Sequence, residues 1–211
     1  MTVNKSKPLI AGYVLAGGRS TRFGRDKALV EFNGKPMLTH MMELLQSVTP
    51  QVKVVAAPEK YADFAADLVA DRWPGEGPLG GIVTALEDAA KNAALCEWNL
   101  IVSCDMPFLT EEWLKFLGKR AAGSRAQVVL PHSASGPEPL CACWRTEAVG
   151  ALRSGFERGA RKVTDGIVLL RAEVLDEADW KRFDSAGRLF RNMNTAADFE
   201  EARRIWEAER V

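Results

Sequence analysis

LIAGYVLAGGRSTRFGRDK, residues 9–27, is the stretch on which the fold turns. Residues 9–15 form a short apolar run that ends at Gly17 and Gly18. Such a run, apolar on both faces and bounded by turn residues, reads as a strand of a covered parallel sheet. Further runs share its character: 51–57 (QVKVVAA), 67–70, 99–104 (NLIVSC) and 126–130 (AQVVL). Between them, 37–48, 82–94 and 111–121 carry apolar residues at helical spacing. This alternation predicts an α/β doubly wound, mostly parallel sheet, with ligands in the crevice at the carboxyl ends of the strands.

Past residue 131 the alternation loosens. Segment 132–139, a run at 140–144, a helix over 146–158 and a strand near 173–175 predict a lid or an antiparallel extension. A helix over 196–209 closes the chain, begun by Thr195 with Asp198 three residues on, a capping-box pattern. No linker, low-complexity tract or repeat interrupts the 211 residues, so the expectation is one domain.

Composition narrows the function. Hydrophobic residues make up 47% and charged residues 27%, a globular balance. Lys plus Arg and Asp plus Glu are each 28, so no net basic field is available to hold a nucleic-acid backbone. The longest apolar stretches are about half the length needed to span a bilayer. No export signal is visible, and a cytoplasmic protein with no membrane partner is expected. Cysteines 96, 104, 141 and 143 form no paired CxxC set, and only His40 and His132 could complement them. Reduced, buried thiols are expected rather than a metal site.

Four segments, three of them directly after expected strands, could carry chemistry. In 15–27, Gly17 and Gly18 free the backbone to turn N–H groups toward an anion, while Arg19, Arg22, Arg25 and Lys27 supply charge, which makes either a polyphosphate loop or a glycine turn followed by a solvated basic helix start. A Walker A loop is excluded by the missing Gly-Lys-Ser/Thr ending, and a dinucleotide-binding oxidoreductase by the missing GxGxxG. In 99–109 (NLIVSCDMPFL) the strand ends at Asp105, either a ligand for a hard dication such as magnesium or a helix N-cap. In 71–81 (DRWPGEGPLGG) the glycines, Gly80 among them, let backbone lie against a flat ligand, and Asp71 could accept hydrogen bonds from a base or sugar. In 192–195 (NMNT), Asn194 either lends an oxygen to a metal or shapes the turn.

Taken together, LAGGRSTRFGRDKALVEFNGKPML (15–38), GPLGGI (77–82), CDMPFL (104–109), PEPLCACW (137–144) and FRNMNTAADF (190–199) resemble the molybdenum cofactor guanylyltransferase family. That family belongs to the sugar-nucleotide-type nucleotidyltransferases, with a Rossmann-like sheet. The resemblance implies transfer of GMP from GTP to molybdenum-molybdopterin, with Mg2+ as cofactor and transient contact with other molybdenum cofactor proteins. It divides the chain into a nucleotide-binding half at about 8–130 and an acceptor-binding half at about 131–211. It implies that Leu15, Ala16, Gly17 and Lys27 contact GTP, with Gly18 and Gly80 in the same loops. Asp71 would contact the nucleotide, Asp105 the magnesium and phosphates, and Arg22 with Lys27 the β and γ phosphates. Two departures are mild: GPLGG stands where the family often has GPLAG, and Asn194-Thr195-Ala196 where it usually has NTP. The basic stretch 158–162 (RGARK) either faces the second substrate's phosphate or is a solvated helix end. A cytidylyltransferase acting on molybdopterin or on a sugar or isoprenoid phosphate is the closest alternative. A non-catalytic nucleotide-binding module would be expected to lack Lys27 or Asp105.

Overall fold

The computed structural model describes residues 9–17, 26–32, 34–61, 64, 67–91, 96–184 and 186–208. β1 (Leu9–Leu15) leads to the one-turn helix Lys27–Leu29, the small hairpin β2 (Glu31–Phe32) and β3 (Lys35–Pro36), and α1 (Met37–Gln46). β4 (Val52–Ala56), β5 (Asp67–Ala70), α2 (Pro78–Ala90), β6 (Cys96–Ser103) and α3 (Glu111–Gly123) follow. The remainder is β7 (Val128–Ser133), β8 (Gly136–Pro137), β9 (Cys141–Arg145), α4 (Val149–Glu157), α5 (Val163–Ile167), β10 (Ala172–Leu175), α6 (Glu177–Trp180) and α7 (Ala196–Ala208).

The main sheet has the order β10-β7-β9-β6-β1-β4-β5, with β8 paired to β7. Alternation along each central strand feeds two cores. Tyr13 and Leu15 of β1 and Ile101 of β6 face α2 and α4, whereas Val14, Leu100 and Val102 face α1, α3 and α7. α1 buries Met37, Leu38, Met41 and Leu45, the stripe that helical spacing demands. The helix expected from residue 82 starts earlier, at Pro78, because proline is suited to a first helical turn. α7 opens on the expected capping box: Thr195 Oγ1 accepts from Asp198 N at 3.1 Å and Asp198 Oδ2 from Thr195 N at 2.8 Å.

The antiparallel strand expected past residue 131 is β9, and it lies inside the sheet, antiparallel to both β6 and β7. Cys141, Ala142, Cys143 and Trp144 are all buried, alternating between the two cores, and pairing on both sides leaves no unpaired backbone edge on this buried strand. All four cysteines are buried and unpaired. Among the described residues no helix is long and apolar enough to cross a membrane.

Asn99, buried on β6, ties that strand to the end of β9: its Nδ2 donates to Trp144 O at 3.1 Å and to Thr146 Oγ1 at 2.9 Å. Removing a buried donor with two partners costs about 2–3 kcal/mol. Asn99→Ala should therefore lower the melting midpoint by roughly 4–10 °C in a chain of this size, read by a thermal melt. A midpoint equal to the parent's would show that these bonds contribute nothing net.

Candidate active site

The chain runs from β1 to β4 and β5 on one side, then crosses back to pair β6 with the other side of β1. A crevice opens where the connections diverge, at the carboxyl ends of β1 and β6. The cavity there, of about 340 Å³, is lined by Leu15, Gly17, Asp71, Gly81, Ser103 and Asp105 among others. The first, second and third sequence segments therefore meet in one place.

Asp105 sits just past β6 and is held on both oxygens. Ser103 Oγ donates to Oδ1 at 2.6 Å, and Lys27 Nζ lies 3.3 Å from Oδ2. The N-cap alternative fails, because α3 is capped by Thr110, whose hydroxyl accepts from Trp113 N. The carbonyl of Asp105 accepts from Met193 N at 2.9 Å, which draws the fourth segment alongside. There Asp198 takes the N–H groups of Asn194 and Thr195, leaving the Asn194 side chain to accept from Lys27 Nζ at 3.1 Å. Lys27, Asp105 and Asn194, far apart in sequence, thus form one polar cluster.

Asp71 closes the opposite wall. Its N–H donates to Ala56 O at 2.9 Å, and its Oδ1 accepts from Trp73 N at 3.0 Å and lies 3.4 Å from Thr84 Oγ1. Oδ2 has no hydrogen-bond partner among the described residues and lies near Gly17, where an added Cβ would sit 3.5 Å from it. Gly77, at φ 98°, takes a backbone conformation that L side chains rarely adopt, and α2 starts at once, so its positive N-terminal end borders the cavity.

Several expected contacts are placed differently. Gly17 is outside the left-handed region, and an added Cβ would make an ordinary 3.5 Å contact with Asp71 Oδ2, so neither φ nor space demands glycine there. The backbone of Ala16 is occupied: its N–H donates to Val55 O at 3.0 Å and its carbonyl faces the Tyr61 hydroxyl at 3.0 Å. Gly80 is buried, where a Cβ would meet that of Trp73 at 3.1 Å, and it is Gly81 that lines the cavity. Gly18, Arg19, Arg22 and Arg25 lie outside the described residues. In 158–162, Arg161 pairs with Glu76 at 2.9 Å and lies over the Phe156 ring, so it braces the 71–81 loop. Ser103 and Thr84 went unnoticed in the sequence. Ser103 had a signal, its spacing of two from Asp105; Thr84, inside a helix, had none.

Cys104, beside Asp105, is pushed far above the ordinary thiol range by burial and then by the Asp105 charge, and burial pushes Cys141 up to about 12. Both are neutral thiols and unsuited to nucleophilic attack. Among the described residues no three His, Cys, Asp or Glu side chains converge on a metal position. A larger depression of about 750 Å³ lies beside α2 and β5, but its charges pair with one another, Lys53 with Asp88 at 2.8 Å and Arg72 with Glu87.

Residues 12–173 match the MobA-like NTP transferase domain. The chain is 31% identical over 201 residues to a probable molybdenum cofactor guanylyltransferase of Pelotomaculum thermopropionicum, covering 95% of each protein. A protein of the same name from Opitutus terrae is 34% identical over 165 residues, 77% of this chain and 79% of that one. The crystal structure of molybdopterin-guanine dinucleotide biosynthesis protein A from Archaeoglobus fulgidus superposes with a TM-score of 0.81 at 26% identity, covering 94% of this chain and 99% of that one. With its match running from within β1 to within β10, the chain belongs to the MobA-like NTP transferase family.

Proposed function

We propose that this enzyme transfers GMP from GTP to molybdenum-loaded molybdopterin, forming the guanine dinucleotide cofactor and releasing pyrophosphate. The observation that carries the site assignment is the meeting, in one crevice, of the Lys27–Asp105–Asn194 cluster with Asp71 and the glycine loop before α2. A terminal phosphate oxygen of molybdopterin attacks the α-phosphorus of GTP. One phosphorus–oxygen bond forms, the α–β bridging bond breaks, and pyrophosphate leaves with the electron pair. The nucleophile is already ionised at neutral pH, so no general base is needed. Catalysis then consists of in-line alignment and neutralisation of developing charge. Lys27 holds the β and γ phosphates, helped by Arg22.

Nucleotidyltransferases of this kind usually need a divalent metal, and we assign magnesium. Asp105 and Asn194 offer the hard oxygen donors it takes, and the ammonium of Lys27 already lies between them, 3.3 Å from Asp105 Oδ2 and 3.1 Å from Asn194 Oδ1. The position therefore accepts positive charge. When bound, magnesium would offset the charge of the triphosphate, with phosphate oxygens and water completing its shell. The buried, unpaired cysteines suit the reducing cytoplasm, where we place the enzyme.

Base choice rests on Asp71 and loop 75–81. Guanine presents N1–H and an exocyclic amine as adjacent donors, and a carboxylate or loop carbonyls accept both, whereas cytosine has one amine on that edge. Acceptors left unpaired cost about 1–3 kcal/mol, so kcat/KM for GTP should exceed that for CTP by roughly tenfold to a hundredfold. Asp71→Asn should narrow the ratio. The measurement uses both nucleotides with molybdenum-loaded molybdopterin as acceptor, in parent and variant. A parent that prefers CTP would make the enzyme a cytidylyltransferase.

A further inference from the structure

Tyr61 follows the one-turn helix Pro58–Lys60 beyond β4 and is 1% exposed. Its ring packs in the core, edge to face with Phe64 at 6.1 Å. Its oxygen points elsewhere. The hydroxyl lies 3.0 Å from Ala16 O and 2.9 Å from Asp26 Oδ2. Those two residues stand at either end of the glycine- and arginine-rich segment, so one buried phenol touches both ends. Each end is tied onward. Ala16 N–H donates to Val55 O on β4 at 3.0 Å. Asp26 Oδ1 accepts from Ala28 N at 3.1 Å and so caps the one-turn helix whose first residue, Lys27, reaches Asp105 and Asn194. The phenol has one proton for two acceptors, and a carboxylate oxygen is the stronger of them. Lys60 also reaches Asp26 Oδ2, at 3.7 Å, but it is half exposed, and such a pair is weak.

We propose that Tyr61 is a positioning residue for the transfer reaction: its hydroxyl, lodged beside the Ala16 carbonyl, donates to Asp26 and so sets Asp26 and Lys27 in place before the nucleotide arrives. This rests on the reading of 15–27 as the triphosphate loop. Without that bond, ordering Asp26 and Lys27 draws on binding energy, so the loss appears in nucleotide affinity and not in the chemical step.

The test is Tyr61→Phe, which keeps the ring and its packing. The Kd for GTP with magnesium should rise about tenfold, while kcat at saturating GTP stays within about twofold and KM for the acceptor is unchanged. Asp26→Ala should give at least that rise, because it also removes the cap on Ala28 N, and Asp26→Asn, which keeps an acceptor oxygen, should bind GTP more tightly than Asp26→Ala. The double variant Tyr61→Phe/Asp26→Ala should lose less than the sum of the two single losses, because the Tyr61–Asp26 bond is counted in both. A GTP affinity equal to the parent's, additive losses, or equal losses toward GTP and acceptor would overturn the positioning role. A parent selective for CTP would correct the base assignment instead, and the same ratio is then read with CTP.

Discussion

Asp105→Ala should abolish turnover, lowering kcat by roughly a thousandfold or more, while the circular dichroism spectrum remains that of the parent. The side chain lies on a cavity wall and not within either core, so its loss opens no packing defect. What disappears is charge and position. Asp105 accepts from Ser103, pairs with Lys27 and faces the place where a triphosphate and its metal would be held. Asp105→Asn keeps the size and an acceptor for Ser103 but removes the negative charge, and should lose nearly as much. The pair of variants separates charge from shape. Pyrophosphate release on purified protein is the measurement. Near-parent turnover by a normally folded Asp105→Ala protein would move the metal and phosphate site elsewhere.

Lys27→Ala should lower kcat/KM for GTP by about a hundredfold, ~3 kcal/mol, the order expected when a located charge-assisted contact to phosphate is removed from a partly closed site. Lys35→Ala, eight residues on, should change it by less than about twofold. The two lysines differ in what surrounds them. Lys27 converges on Asp105 and Asn194 inside the crevice, whereas Lys35 is in β3 of the small hairpin and pairs with Glu43 at the surface. Steady-state kinetics of both variants at fixed ionic strength decides the matter. Equal losses at the two positions would mean that general positive charge, and no located contact, serves the triphosphate.

The residues alone determined the sheet and the places to look. Apolar runs such as 9–15 and 99–104 have the length and two-sided character that only a covered strand satisfies, and a ligand crevice at strand carboxyl ends follows from that architecture. Asp71 and Asp105 were legible because each stands directly after such a run. The capping box at Thr195 and Asp198 was legible because its contacts span one helical turn. Other features needed the folded chain. The position of β9 between β6 and β7 depends on which long-range pairings satisfy both backbone edges of Cys141–Arg145, and local sequence is silent on that choice. That Asp105 is not a helix cap was decided by Thr110, which already caps α3. The surroundings of Ala16 and Gly80 also came only with the fold: the Ala16 N–H donates to Val55 O and its carbonyl faces the Tyr61 hydroxyl, and Gly80 is packed against Trp73. Tyr61, an ordinary aromatic in sequence, reaches Ala16 and Asp26 only because β4 returns its chain beside β1. Strand and cap signals are local, set by one residue and its near neighbours, whereas the partners of a polar atom are set by whichever segments the core packing brings within about 3 Å of it.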